Sequence, residues 1–153
     1  MHKGILHITI LYSIISYMIN TKTILVVDDD ISVQKVLKLM LEKEGFSVFT
    51  SNNGKEGLES AIKNKPDLII LDMAMPIMDG HKMLKALRTD SIVGKTPVMV
   101  LSNSFIAPSV LENIRKDSLN ILIKTDWKLQ DILKEIMSVI KLKEYRTFLG
   151  RIV

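Results

Sequence analysis

No cysteine occurs among the 153 residues, which excludes disulfides and thiolate metal centres. No apolar run is long enough to cross a bilayer, which takes about 20 largely apolar residues. The longest candidate, residues 5–19, is broken by His7, Thr9, Ser13 and Ser16. As an export signal it lacks a small-x-small cleavage site, and only Lys3 supplies a basic flank. Neither a membrane role nor export is expected, so the reading is a cytoplasmic protein. Internal repeats, low-complexity stretches and linkers are also missing, which leaves one domain. The net charge is +4, but the basic residues are scattered apart from Lys141, Lys143, Arg146 and Arg151. Without a basic patch, direct nucleic-acid binding is not expected.

What is present is an ordinary globular composition, 47% hydrophobic and 25% charged. Residues 1–21 read as an apolar N-terminal extension outside the domain, with Met18 as an alternative start. Residues 22–143 form the domain, and 144–153 a short basic tail.

Four short apolar runs end on residues able to do chemistry. Residues 24–27 lead into Asp28-Asp29-Asp30, 68–71 into Asp72, 98–101 into Ser102, and 121–123 into Lys124. Such β-branched runs read as strands buried on both faces of a parallel sheet. Between them lie helical patterns. Val33, Val36, Leu37, Met40 and Leu41 mark the first, capped by Asp30 or Ser32 and stopped by Gly45. Phe46–Thr50 alternates as a strand, and Asn52-Asn53-Gly54 turns into a helix using Leu58, Ala61 and Ile62. A loop with Pro76 and Asp79-Gly80 precedes a helix burying Met83, Leu84 and Leu87. A fourth helix is expected over 108–117, a fifth strand over 119–123, and a last helix over 128–142 burying Leu129, Ile132, Leu133, Ile136 and Ile140. Five strands alternating with five helices predict an α/β flavodoxin-like (βα)5 fold, a doubly wound parallel sheet of strand order 2-1-3-4-5.

In that order the switch point between the first and third strands gathers Asp28, Asp29 and Asp72. Clustered acids need a counter-charge, and Mg²⁺ favours a few carboxylates with waters and phosphate oxygens. Asp72, alone at the end of the third strand, is the best nucleophile for an aspartyl-phosphate. Asp28 and Asp29 suit metal anchoring, Lys124 can neutralise a phosphoryl oxygen, and Ser102 can donate to another. Asp30 reads as a helix cap.

These residues, with the segment Asp72-Met73-Ala74-Met75-Pro76-Ile77-Met78-Asp79-Gly80, resemble the receiver domain of two-component response regulators. The single-domain, chemotaxis-type receiver is the nearest pattern. The resemblance runs over about residues 22–143. It implies that Asp72 is the phosphoacceptor and that Asp28 and Asp29 hold Mg²⁺ with the Ala74 carbonyl. It makes Ser102 the hydroxyl switch and Lys124 the phosphate-pairing lysine. A sensor histidine kinase or phosphotransfer protein would be the donor. The chain would assist its own phosphorylation and dephosphorylation without being a turnover enzyme.

Three departures concern the output. Thr125 follows Lys124 where the family usually has proline, which removes the usual reason for a cis bond. Ile121 stands where the family often has a switching aromatic, and Lys116-Asp117-Ser118 replaces a Gly-Ala pair. The expected output is a protein–protein contact, to an unnamed target, through the face of the fourth helix, fifth strand and fifth helix. That face is also a candidate for homodimer contact. Rival readings are a receiver-shaped scaffold that is never phosphorylated, a fragment of a DNA-binding regulator, and a phosphohydrolase. The last needs an acid two residues after the nucleophile, where Ala74 stands.

Overall fold

The computed structural model describes residues 21–102, 120–123 and 128–149. The N-terminal extension, the helix expected over 108–117, Lys124 and the Lys124–Thr125 bond lie outside these residues, as do the side chains of Ser102 and Ile121. The elements run β1 (Thr23–Val27), α1 (Ile31–Lys43), β2 (Ser47–Ser51), α2 (Gly54–Asn64), β3 (Leu68–Leu71), α3 (Gly80–Thr89), β4 (Val98–Ser102), β5 (Asn120–Ile123) and α4 (Leu129–Leu149). All strands pair in parallel, in the order β2-β1-β3-β4-β5. This is the expected doubly wound arrangement.

The β1 and β3 runs are apolar throughout because both sheet faces are covered. Ile24, Val26, Leu68 and Ile70 pack with Leu37 and Leu41 of α1 and Ile132 and Ile136 of α4. Their neighbours Leu25, Val27, Ile69 and Leu71 point the other way, onto Ala61 of α2 and Met83, Leu84 and Leu87 of α3. Each fully buried aliphatic side chain contributes about 1.5–3 kcal/mol relative to exposure. The two central strands are therefore the rigid frame on which the carboxylates are mounted.

Several boundaries and faces differ from expectation. β2 begins at Ser47, one residue late, because Phe46 belongs to the ending of α1. Its N–H donates to the Leu41 carbonyl at 3.1 Å, and the Gly45 N–H to that of Glu42 at 3.0 Å. This Schellman ending requires a left-handed residue, and Gly45 supplies it with φ +90°. Val36, Ile62 and Leu129, expected to face the core, are 44%, 41% and 45% exposed. Val36 and Ile62 lie at the flanks of their helices, off the stripe that the sheet covers, whereas Leu129 is the first residue of α4. The last helix runs on to Leu149 rather than ending at 142, so residues 144–149 continue it.

Candidate functional site

The site starts from the parallel ladder. The Asp28 N–H donates to the Ser51 carbonyl at 3.1 Å, and the Asp72 N–H to the Val27 carbonyl at 2.8 Å. These bonds extend the β1–β2 and β1–β3 pairing one residue past the strands and bring both carboxylates to one rim. Asp28 and Asp72 are buried, with 2% and 5% exposure, whereas Asp29 is exposed. Ligand oxygens of Asp28, Asp29 and Asp72 lie within 4.8 Å of one another. At an effective dielectric near 20, two charges at that separation repel by about 3–4 kcal/mol. A cation shared by the three removes that cost. A set of hard oxygen donors, partly open to water through Asp29, fits Mg²⁺.

Local chemistry explains why the first two acids sit as they do. Asp28 Oδ1 accepts the Asp30 N–H at 2.9 Å, which folds the chain back after β1. Asp30 then caps α1, accepting from the N–H groups of Ser32 at 2.8 Å and Val33 at 3.3 Å. The sequence places the same role on Asp30, and the geometry agrees.

The segment after Asp72 is held from several sides. The Gly80 N–H donates to the Met73 carbonyl at 3.1 Å. A Cβ at Gly80 would overlap the Asp72 carbonyl oxygen and crowd Met73, so only glycine lets α3 start this close to Asp72. Ile77 takes φ +67°, and the Met78 N–H donates to the Pro76 carbonyl at 2.7 Å across it. A β-branched residue in that conformation is strained by about 1–3 kcal/mol. Asp79 caps α3 by accepting the Lys82 N–H at 2.8 Å, and it pairs with Lys82 Nζ at 3.1 Å. Burial alone would raise the Asp79 carboxyl, but those Lys82 contacts outweigh it and hold it below the usual range.

Ser102 is the last residue of β4, paired with Ile123 of β5. Lys124, next along the chain, lies outside the described residues. Ala74 is an exposed residue of the loop between β3 and α3.

Sequence reasoning missed a second polar layer behind the acids. Gln34 of α1 is buried, and its side-chain N–H groups donate to the Asp28 carbonyl at 2.6 Å, the Ser51 carbonyl at 3.2 Å and Asn52 Oδ1 at 2.9 Å. Glu56 accepts from the Asn52 N–H at 3.0 Å and from Asn53 Nδ2 at 2.8 Å, while Asn53 caps α2 by accepting the Glu56 N–H at 3.0 Å. The Asn52 N–H leads in holding the Glu56 carboxyl below its ordinary value. One signal was available: Gln34 falls at the same helical phase as Leu37 and Leu41, a polar residue on the buried stripe.

Comparison with known proteins agrees with this geometry. The family model described as the response regulator receiver domain matches residues 24–137. The chain belongs to that family, a signalling module of two-component systems. It is 41% identical over 81 residues to the alkaline phosphatase synthesis transcriptional regulatory protein PhoP of Bacillus subtilis, covering 53% of this chain and 33% of that protein. Over another 81-residue match it is 40% identical to the cell cycle transcriptional regulator CtrA of Caulobacter vibrioides, covering 53% and 34%. The chain thus spans about a third of the length of these curated relatives. Among solved structures, Vibrio cholerae chemotaxis protein CheY4 superposes with a TM-score of 0.71 at 30% identity, over 78% of this chain and 99% of that one. The receiver domain of Francisella response regulator 1452 gives 0.72 at 28% identity, over 80% and 99%.

Proposed function

We propose that this receiver is phosphorylated on Asp72 by a sensor histidine kinase or phosphotransfer protein in a Mg²⁺-dependent step. The convergence of Asp28, Asp29 and Asp72 within 4.8 Å, at the switch point of the sheet, carries this reading. Asp28, Asp29 and Asp72, with the Ala74 carbonyl, would hold the cation. When bound, Mg²⁺ neutralises charge on the acids and on the incoming phosphoryl oxygens.

The chain's own residues do the rest. The β1–β3 ladder holds Asp72 so that one carboxylate oxygen faces the phosphorus of the donor. That oxygen forms the new O–P bond as the bond from phosphorus to the donor's leaving atom breaks, and the leaving group departs with its electron pair. Gly80, without a Cβ, lets α3 start against Asp72 without displacing it. Ser102 donates a hydrogen bond to one phosphoryl oxygen, and Lys124 pairs with another. Recruitment of these two side chains after phosphorylation repositions the chain after β4 and around β5, changing affinity for a protein target or a second copy. The described residues include no helix long and apolar enough to cross a membrane. A cytoplasmic location is proposed from membership of the receiver family, whose phosphoryl donor would have to share its compartment. Its receiver domain is taken as residues 22–143, signalling through protein–protein contacts.

A second reading is favoured by one observation. The relatives PhoP and CtrA are transcriptional regulators, and the chain covers a third of each. On that reading the receiver controls an attached DNA-binding module, and the chemistry at Asp72 is unchanged.

The test is incubation with acetyl phosphate and Mg²⁺, read by a phosphate-affinity gel shift. An acid-labile shift that needs Mg²⁺ and disappears in Asp72→Asn is expected. No shift in the wild type, or an equal shift in the variant, would sink the proposal.

A further inference from the structure

We infer that Gln34 is a positioning residue that holds the β1 end of the acidic site in shape before a cation arrives, an assignment resting on the receiver reading above. Gln34 is 6% exposed and shares the sheet-facing stripe of α1 with Leu37 and Leu41. Packing alone would be served by another leucine there. The amide adds a cross-link. It reaches the carbonyl of Asp28 at 2.6 Å and that of Ser51 at 3.2 Å, the points where β1 and β2 run out of ladder. Its own backbone N–H donates to the Asp30 carbonyl at 3.0 Å. Residues 28–34 thus form a loop closed by three bonds, with the Asp28 Oδ1 to Asp30 N–H bond as the third.

The cross-link continues towards Asp72. Asn52 Oδ1 accepts from Gln34 at 2.9 Å, and Asn52 Nδ2 donates to Glu56 at 3.2 Å. Two residues on, the Gly54 N–H donates to the Met78 carbonyl at 2.9 Å, in the segment that follows Asp72. Mutual repulsion of the three carboxylates pushes the 28–30 segment away from the rim. Gln34 opposes that movement from behind. Its effect falls on how tightly the site takes a divalent cation, not on phosphoryl transfer once the cation is bound.

The test uses the full chain and Mg²⁺ alone, by titration calorimetry, with thermal unfolding alongside. Gln34→Met keeps volume and removes every donor; the expected result is Mg²⁺ binding weakened by about tenfold. Val48→Ala, a core truncation at the opposite end of the β1–β2 pair, lowers stability and should leave Mg²⁺ affinity within about twofold. Should Gln34→Met fail to fold, the exposed Asn52→Ala serves instead, with an expected weakening of about two- to threefold. Unchanged Mg²⁺ affinity in the folded variant, beside clear wild-type binding, would overturn the assignment of Gln34. Absence of Mg²⁺ binding in the wild type would instead overturn the proposed Mg²⁺-dependent phosphorylation on which the assignment rests.

Discussion

The two ends of the β1–β3 pair both carry aspartates, and they do different work. At the strand starts, Asp67 Oδ2 accepts the Thr23 N–H at 3.0 Å, while its own N–H donates to the Thr23 carbonyl at 2.7 Å. That carboxylate closes the sheet by bonding to backbone. At the strand ends, Asp28 and Asp72 are buried and stand with Asp29 inside one 4.8 Å group. A carboxylate facing an N–H stabilises the fold as it stands. Carboxylates facing one another repel, a cost that a bound cation lowers. The same residue type on the same two strands therefore separates into structure at one end and chemistry at the other.

The largest structural effect should come from Gly80→Ala. The added methyl meets the Asp72 carbonyl, so α3 or Asp72 must shift. Destabilisation of about 3 kcal/mol is expected in urea unfolding, with loss of phosphorylation by acetyl phosphate. A near-neutral result would mean the strand-end region is looser than its packing implies.

Neutralising one acid at each end sharpens the contrast, because the signs should differ. Asp28→Asn keeps an oxygen for the Asp30 N–H and removes one charge from the group. It should raise stability in metal-free buffer by about 1–2 kcal/mol while weakening Mg²⁺ binding. Asp67→Ala leaves the Thr23 N–H without this acceptor, which should cost about 1–2 kcal/mol and spare Mg²⁺ binding. Denaturant unfolding with and without Mg²⁺ reads both. Equal signs would break the distinction between the ends.

The smallest effect concerns acid. Glu56, Asp79 and Asp90 all have carboxyls held below their ordinary values. For Asp90 the cause is the Val93 N–H first and the Ile92 N–H second. A depressed folded value means stability that is present above the unfolded value, 4.5 for Glu56 and 3.8 for the aspartates, and lost as pH falls below it. Glu56→Gln should therefore flatten the fall in stability below about pH 4.5, by less than about 0.5 kcal/mol given its exposure. Unfolding midpoints across pH 3–6, roughly the carboxylate range, provide the comparison.

Much of this was legible in the residues alone. Uninterrupted apolar runs ending in Asp28 and Asp72 announced buried central strands and the rim between them. Asp30 is an acid directly ahead of a helical pattern, the signature of a cap. Asp79 reads only as part of a turn before Gly80, and its capping of α3 comes from the structure. Phe46 was misread because alternation extends one residue into a helix ending whose geometry depends on Gly45. Ile62 sits at a helix flank and Leu129 at a helix start, where periodicity cannot say how far a neighbour reaches. Gln34 was passed over because a glutamine in an amphipathic helix reads as surface, although its phase with Leu37 and Leu41 marks the buried stripe. Only the fold shows that two strand ends stop directly opposite it.

The central claim is that Asp72 accepts a phosphoryl group, and intact-mass measurement with site mapping tests it most directly. After acetyl phosphate and Mg²⁺, the wild type should gain the mass of one phosphoryl group, lose it in hydroxylamine, and map to the peptide containing Asp72. Mass gain on any other residue, or none while Mg²⁺ is bound, would contradict the account.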